Sequence, residues 1–166
     1  MLQLSFLGAF LATSGETVIK DFESAKVRAL LAYLMLESGK SHSREHLTAL
    51  FWGDGDDVKS AKNMRQALSN LRKSIRDTDP ENPFLIISSD AIQANKKNPF
   101  LQVDTQTFDT LIETCKEHPH RRLETCAACM QRLKQAALLY RGELLNGFTL
   151  KDAVIFQDWL VTRREY

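Results

Sequence analysis

The chain has 166 residues, 43% hydrophobic and 26% charged, with a net charge of +1. It therefore has apolar material for one large or two small packed domains, and no whole-chain field that would attract nucleic acid. No stretch approaches the roughly 20 apolar residues of a membrane helix. The apolar start MLQLSFLGAFLATSG has no positive charge ahead of it and is not read as a signal peptide. With no such signal and three Cys, an odd number, the expected compartment is the reducing cytoplasm.

In chain order, residues 2–13 read as a strand and 16–22 as a second, with Ser14-Gly15 as the turn. Ser24 suits an N-cap. Behind it Val27, Leu30, Leu31, Tyr33, Leu34 and Leu36 recur at helical spacing until Gly39. Ser43 caps a short helix over 44–51 whose apolar side is Leu47, Leu50, Phe51 and Trp52.

After a loop at 53–57, residues 58–75 form the most informative helix. Met64, Leu68, Leu71 and Ile75 stack on one face. The opposite face carries Lys59, Lys62, Gln66, Ser69, Asn70 and Lys73, with Asn63, Arg65 and Arg72 on the flanks. From Lys59 to Arg76 there are six cations and no acid, framed by Asp54, Asp56 and Asp57 before and Asp77, Asp79 and Glu81 after. A basic helix inside a neutral protein is a local footprint for DNA. Cations neutralise phosphates, and Gln66, Ser69 and Asn70 can exchange hydrogen bonds with base edges. The same pattern also fits a solvated helix face.

A polar loop over 77–83 leads to short strands at 84–88, 91–94 and 101–103, with turns at 89–90 and 95–99. The capped short helix, the basic helix and a following hairpin make a helix-turn-helix with a wing. Lys96 and Lys97, at the second turn, are the expected wing cations, or equally a plain polar hairpin tip. Helix resumes at Asp104, where the composition shift suggests a domain boundary. It is interrupted at His118-Pro119-His120 and continues as a long helix over 123–145, ended by Gly147. A last helix carries Phe156, Trp159 and Leu160. These helices are too few to close a core of their own, so the natural protein is expected to continue past Tyr166.

Cys115, His118, His120, Cys126 and Cys129 fall within 15 residues and include every Cys of the chain. Cys126 and Cys129 are one helical turn apart. Four soft or borderline donors at this spacing could hold a structural tetrahedral zinc that staples two helices, or they could be buried thiols beside exposed histidines. There is no glycine-rich phosphate loop, no GxSxG and no paired carboxylate set, so no catalytic residues are assigned and the chain does not read as an enzyme.

The stretches LSFLGAF, KVRALLAYLMLESG, SREHLTALFWGD and SAKNMRQALSNLRKSIRD resemble the winged-helix domain of Streptomyces antibiotic regulatory proteins. VDTQTFDTLI, QAALLYRGELLNGF and FQDWLVTRREY resemble the start of the bacterial transcriptional activation domain. The resemblance implies an α+β fold. Residues 1–103 would be a winged helix-turn-helix with an N-terminal β-sheet and a hairpin wing. Residues 104–166 would begin an all-α, tetratricopeptide-like domain. It implies a transcriptional activator that places the basic helix in the major groove of double-stranded DNA. Lys62, Asn63, Gln66, Ser69, Asn70 and Lys73 would face the groove, and Arg65 and Arg72 would sit on phosphate. RNA polymerase or a second copy of the chain would be a protein partner. The Cys/His cluster is not part of that family's pattern. Two other readings stay open: an adaptor that keeps the winged shape without reading DNA, and a zinc- or redox-responsive sensor module.

Overall fold

The structure is a computed structural model that describes residues 1–53, 55–119 and 122–165. Strands β1 (Leu2–Ser5), β2 (Leu11–Ser14) and β3 (Thr17–Val18) precede helix α1 (Ala25–Leu36). A short strand β4 (His42–Ser43) leads into α2 (Arg44–Trp52) and α3 (Asp57–Ser74). Strands β5 (Leu85–Ile87), β6 (Ala91–Ala94) and β7 (Leu101–Val103) follow. Helices α4 (Asp104–Glu117), α5 (Ala127–Leu139) and α6 (Val154–Arg164) complete the chain. This is the α+β winged helix with an N-terminal sheet, followed by helices.

The strands form two small sheets. In the first the order is β3-β2-β1-β7, with β1 antiparallel to β2 and parallel to β7. In the second it is β4-β6-β5, all antiparallel. Ser24 and Ser43 cap α1 and α2, accepting hydrogen bonds from the amides of Val27 and His46. Every residue of α1 from Ala29 to Met35 is buried, as a helix that is apolar all round must be.

The expected strand over 2–13 is instead a hairpin. Apolar alternation continues through it, but Gly8 takes φ +118°, a conformation that L side chains rarely adopt. A Cβ there would also lie 3.2 Å from the Cβ of Arg141. That close approach explains a second difference. The helix expected over 123–145 stops at Leu139. The chain then runs beside residues 6–8: the Arg141 amide donates to Leu7, the Gly8 amide to Glu143, the Leu145 amide to Phe6 and the Asn146 amide to Gly8. The extra main-chain partners are supplied by the N-terminal hairpin, which no helical periodicity reports.

Asp104 seals the same joint. It is only 6% exposed. Its carboxylate accepts from the amide of Phe6 at 2.8 and 2.9 Å and from that of Leu7 at 3.0 Å. Arg141 adds a guanidinium contact at 3.0 Å. The composition shift at Asp104 thus marks where sheet gives way to helix, but not a break in packing. Leu145, Phe148, Leu150, Ala153, Phe156 and Leu160 belong to the same apolar cluster as α1, α2 and β1. Phe156 is fully buried, with its ring centroid 5.1 Å from that of Phe51 and 5.4 Å from that of Trp159. Trp159 in turn packs edge-on against Tyr33 of α1.

Two outcomes follow from this packing. Asp104→Ala leaves two amides and a guanidinium facing a cavity and should lower the unfolding free energy by about 2–4 kcal/mol in urea denaturation. Arg141→Ala, at a half-exposed partner, should cost about 1 kcal/mol or less. His42 is buried against Tyr33 and His46, and its Nε2 has no hydrogen-bond partner among the described residues. Burial pushes its pKa below the usual 6.5. The unfolded chain therefore takes up the proton first. Stability from this group is complete above about pH 6.5 and is lost as pH falls through the lower native value. Urea midpoints measured from pH 7 to pH 5 should fall, and the fall should be shallower in His42→Gln.

Candidate nucleic-acid interface

The turn between α2 and α3 is locked by two side chains. Asp56 caps α3 by accepting from the Lys59 amide at 3.0 Å, and the Ser60 hydroxyl donates to the carbonyl of Trp52 at 2.8 Å. α3 then packs Met64, Ala67, Leu68 and Leu71 inward against α1 and α2. At 100° per residue, Lys62, Gln66, Ser69 and Lys73 align along the opposite side. All four are exposed, as are Lys59, Arg65 and Arg76 beside them. None of the C-terminal helices covers this side; α6 packs on α2 instead. Val58, 78% exposed at the helix start, is the one large apolar side chain exposed on α3. An adaptor docking its partner on this face would need apolar rather than cationic side chains there.

The stripe is narrower than the sequence pattern. Asn70 does not point outward: it is only 8% exposed. Its Oδ1 accepts from the Glu23 amide at 3.1 Å and its Nδ2 donates to the Asp21 carbonyl at 3.4 Å, while the Ser74 hydroxyl donates to the same carbonyl at 2.9 Å. At 80° from Lys62 around the helix, Asn70 falls where the strand-to-α1 connection crosses, and its amide satisfies that backbone. Asn63 is half-buried on the same flank. Arg72 is drawn sideways toward the buried carboxyl of Asp77 at 3.6 Å.

The wing is also placed differently. β5 and β6 pair with Leu85 opposite Ala94 and Ile87 opposite Ile92, so the hairpin tip is Ser88-Ser89-Asp90. Lys96 and Lys97 lie beyond the other end of β6. Lys96 packs over Gly39, where a Cβ would come within 3.2 Å of its Cε. Asn95 and Asn98 hold this bend by donating to the carbonyls of Pro83 and Asn82. It cannot be a wing tip because β7 must turn away to pair with β1. A residue the sequence did not single out anchors the true tip: Arg44, at the start of α2, donates to the carbonyls of Ser89 at 2.8 Å and Ser88 at 3.1 Å. Only its position directly after a capping Ser hinted at a role.

Of the five Cys and His residues, the structure brings three together. The ligand atoms of His118, Cys126 and Cys129 lie within 4.8 Å of one another. Cys115 instead directs its thiol to the Cys129 carbonyl at 3.7 Å, and His120 lies outside the described residues. Cys126 opens α5, where the backbone N–H of Cys129 lowers its thiol pKa, while burial raises that of Cys129 to about 11.

Residues 23–91 match the family described as transcriptional regulatory protein, C terminal. The match covers α1 to α3 and ends at the start of β6, so it contains the basic stripe and the hairpin tip. The matched segment is thus similar to the domain of transcription regulators. Among solved structures, the chain is similar to Mycobacterium tuberculosis EmbR in complex with a low-affinity phosphopeptide. The TM-score is 0.73 at 18% identity, over 99% of this chain and 42% of the EmbR chain. The likeness therefore extends through α4–α6, and the chain spans less than half the length of that protein. No curated protein matches the chain. No helix among the described residues is long and apolar enough to cross a membrane.

The two kinds of amide on α3 should behave oppositely. Asn70→Ala strands the Glu23 amide, while Ser74 still serves the Asp21 carbonyl, and should lower stability by about 1–2 kcal/mol. Gln66→Ala, on the solvent side, should leave it within about 0.5 kcal/mol. Thermal melts of the two variants check this directly.

Proposed function

We propose that this chain is a sequence-specific DNA-binding transcriptional activator that lays α3 in the major groove with the Ser88–Asp90 tip alongside. The observation that carries the reading is the uncovered outer side of α3. There Lys62 and Lys73 flank two neutral hydrogen-bonding side chains, Gln66 and Ser69. Cations alone would bind any duplex. An amide and a hydroxyl between them add donors and acceptors that can be matched to base edges. Lys59, Arg65, Arg72 and Arg76 then serve the phosphates on either side, and Arg44 fixes the wing relative to α2.

The helices after Asp104 supply the activator part of this reading. α5 and α6 leave Leu138, Tyr140, Val154, Ile155 and Val161 exposed. Such a surface suits contact with another protein, RNA polymerase or a second copy of the chain, as a tetratricopeptide-like helical portion would provide. The Streptomyces antibiotic regulatory type is the finer family assignment that this order of winged helix and helices supports. Cysteines held as thiols rather than disulfides suit a cytoplasmic regulator.

Selection from a randomised duplex library, followed by anisotropy titration of the selected site over a range of salt, tests the proposal. Each phosphate contact contributes about −0.9 to the slope of log affinity against log salt. Lys62→Ala with Lys73→Ala should therefore weaken binding and flatten the slope by about 2. Gln66→Ala should relax preference at one base pair by about 1–3 kcal/mol and leave the slope unchanged. A wild-type salt slope near zero, or no enriched sequence, overturns it.

A further inference from the structure

The α4–α5 connection assembles groups that DNA reading does not use. His118 follows the last residue of α4, Cys126 precedes the first of α5, and Cys129 lies on the first turn of α5. Nδ1 of His118 is 3.5 Å from Sγ of Cys126 and 3.5 Å from Sγ of Cys129. One ring nitrogen can share a proton with one sulfur at a time, yet two sulfurs converge on it at equal distance. That is the arrangement of a ligand shell. A tetrahedral zinc, with bonds of about 2.3 Å to sulfur and about 2.0–2.1 Å to nitrogen, has N···S edges of about 3.6 Å. The spacing on both edges matches.

We propose that His118, Cys126 and Cys129 bind a zinc ion that staples the end of α4 to the start of α5. The donor set is two sulfurs and an imidazole with no carboxylate, which selects a borderline-soft ion such as zinc over magnesium or calcium. Arg132 places Nη1 3.9 Å from Sγ of Cys129, where a guanidinium offsets the negative charge of two metal-bound thiolates. Among its described residues the connection from α4 to α5 carries a short 3-10 turn, Leu123–Thr125, whose residues are not buried, and α5 begins without a side-chain cap hydrogen bond. The ion would add a metal tie to the packing of α4 against α5. This inference stands apart from the DNA reading, since the cluster shares no residue with the α3 stripe.

The protein, purified under reducing conditions without chelator, should carry one zinc per chain by elemental analysis. The Cys126→Ser, Cys129→Ser double variant should carry none. Metal-stripped wild type titrated with cobalt(II) should develop tetrahedral d–d bands and a thiolate-to-cobalt charge-transfer band. His118→Ala should weaken that binding by about a hundredfold or more. Circular dichroism establishes whether the double variant is folded; if it is not, the cobalt titration of His118→Ala decides. Wild type that neither holds zinc nor gives the charge-transfer band overturns the proposal. So does unchanged cobalt affinity in His118→Ala, or a folded double variant that still carries one zinc.

Discussion

A carboxylate shut away from water must be met by donors, and at Asp104 three donors come from two distant places in the chain. Two are the consecutive amides of Phe6 and Leu7, where β1 ends, and the third is Arg141, where α5 has just stopped. Losing the carboxylate leaves two backbone amides without their partner, a larger penalty than losing the half-exposed Arg141. The joint therefore fixes the N-terminal hairpin, the start of α4 and the chain after α5 as one unit. The segment 141–146 can lie along residues 6–8 only because this corner is held. From there Leu145, Phe148 and Phe156 are delivered into the core beneath α1.

Much of the fold could be read from local rules. Ser24 and Ser43 behaved as capping residues because a hydroxyl one step before an apolar helical repeat has an orphan amide to satisfy. Met64, Leu68 and Leu71 identified the buried side of α3 because helical periodicity reports burial on one element at a time. What escaped was set by partners distant in sequence. Gly8 turns because residues 141–143 press on it, and β4 exists only as a partner for β6. The long helix expected through residue 145 ends early because its carbonyls and amides are wanted by the hairpin.

The candidate site divides the same way. The outward positions of Lys62, Gln66, Ser69 and Lys73 were legible from spacing alone. Asn70, only 80° further round, was not. Whether a flank residue faces solvent or a crossing loop depends on where residues 21–23 run. Lys96 and Lys97 were drawn to a wing tip because a basic turn between two strands looks like one. The choice of tip depended instead on β7 pairing with β1 rather than β6. The cluster of Cys126, Cys129 and His118 was visible as spacing, and the placement of its donor atoms was added by the fold.

The docking of Phe156 between Phe51 and Trp159 has a further consequence. These rings tie α6 to α2, on the back of the helix-turn-helix. With α3 seated in a groove, any protein held on α6 would be presented at one compass bearing around the duplex axis. The winged helix would then set not only where along the DNA a partner is recruited, but also which side of the double helix it occupies.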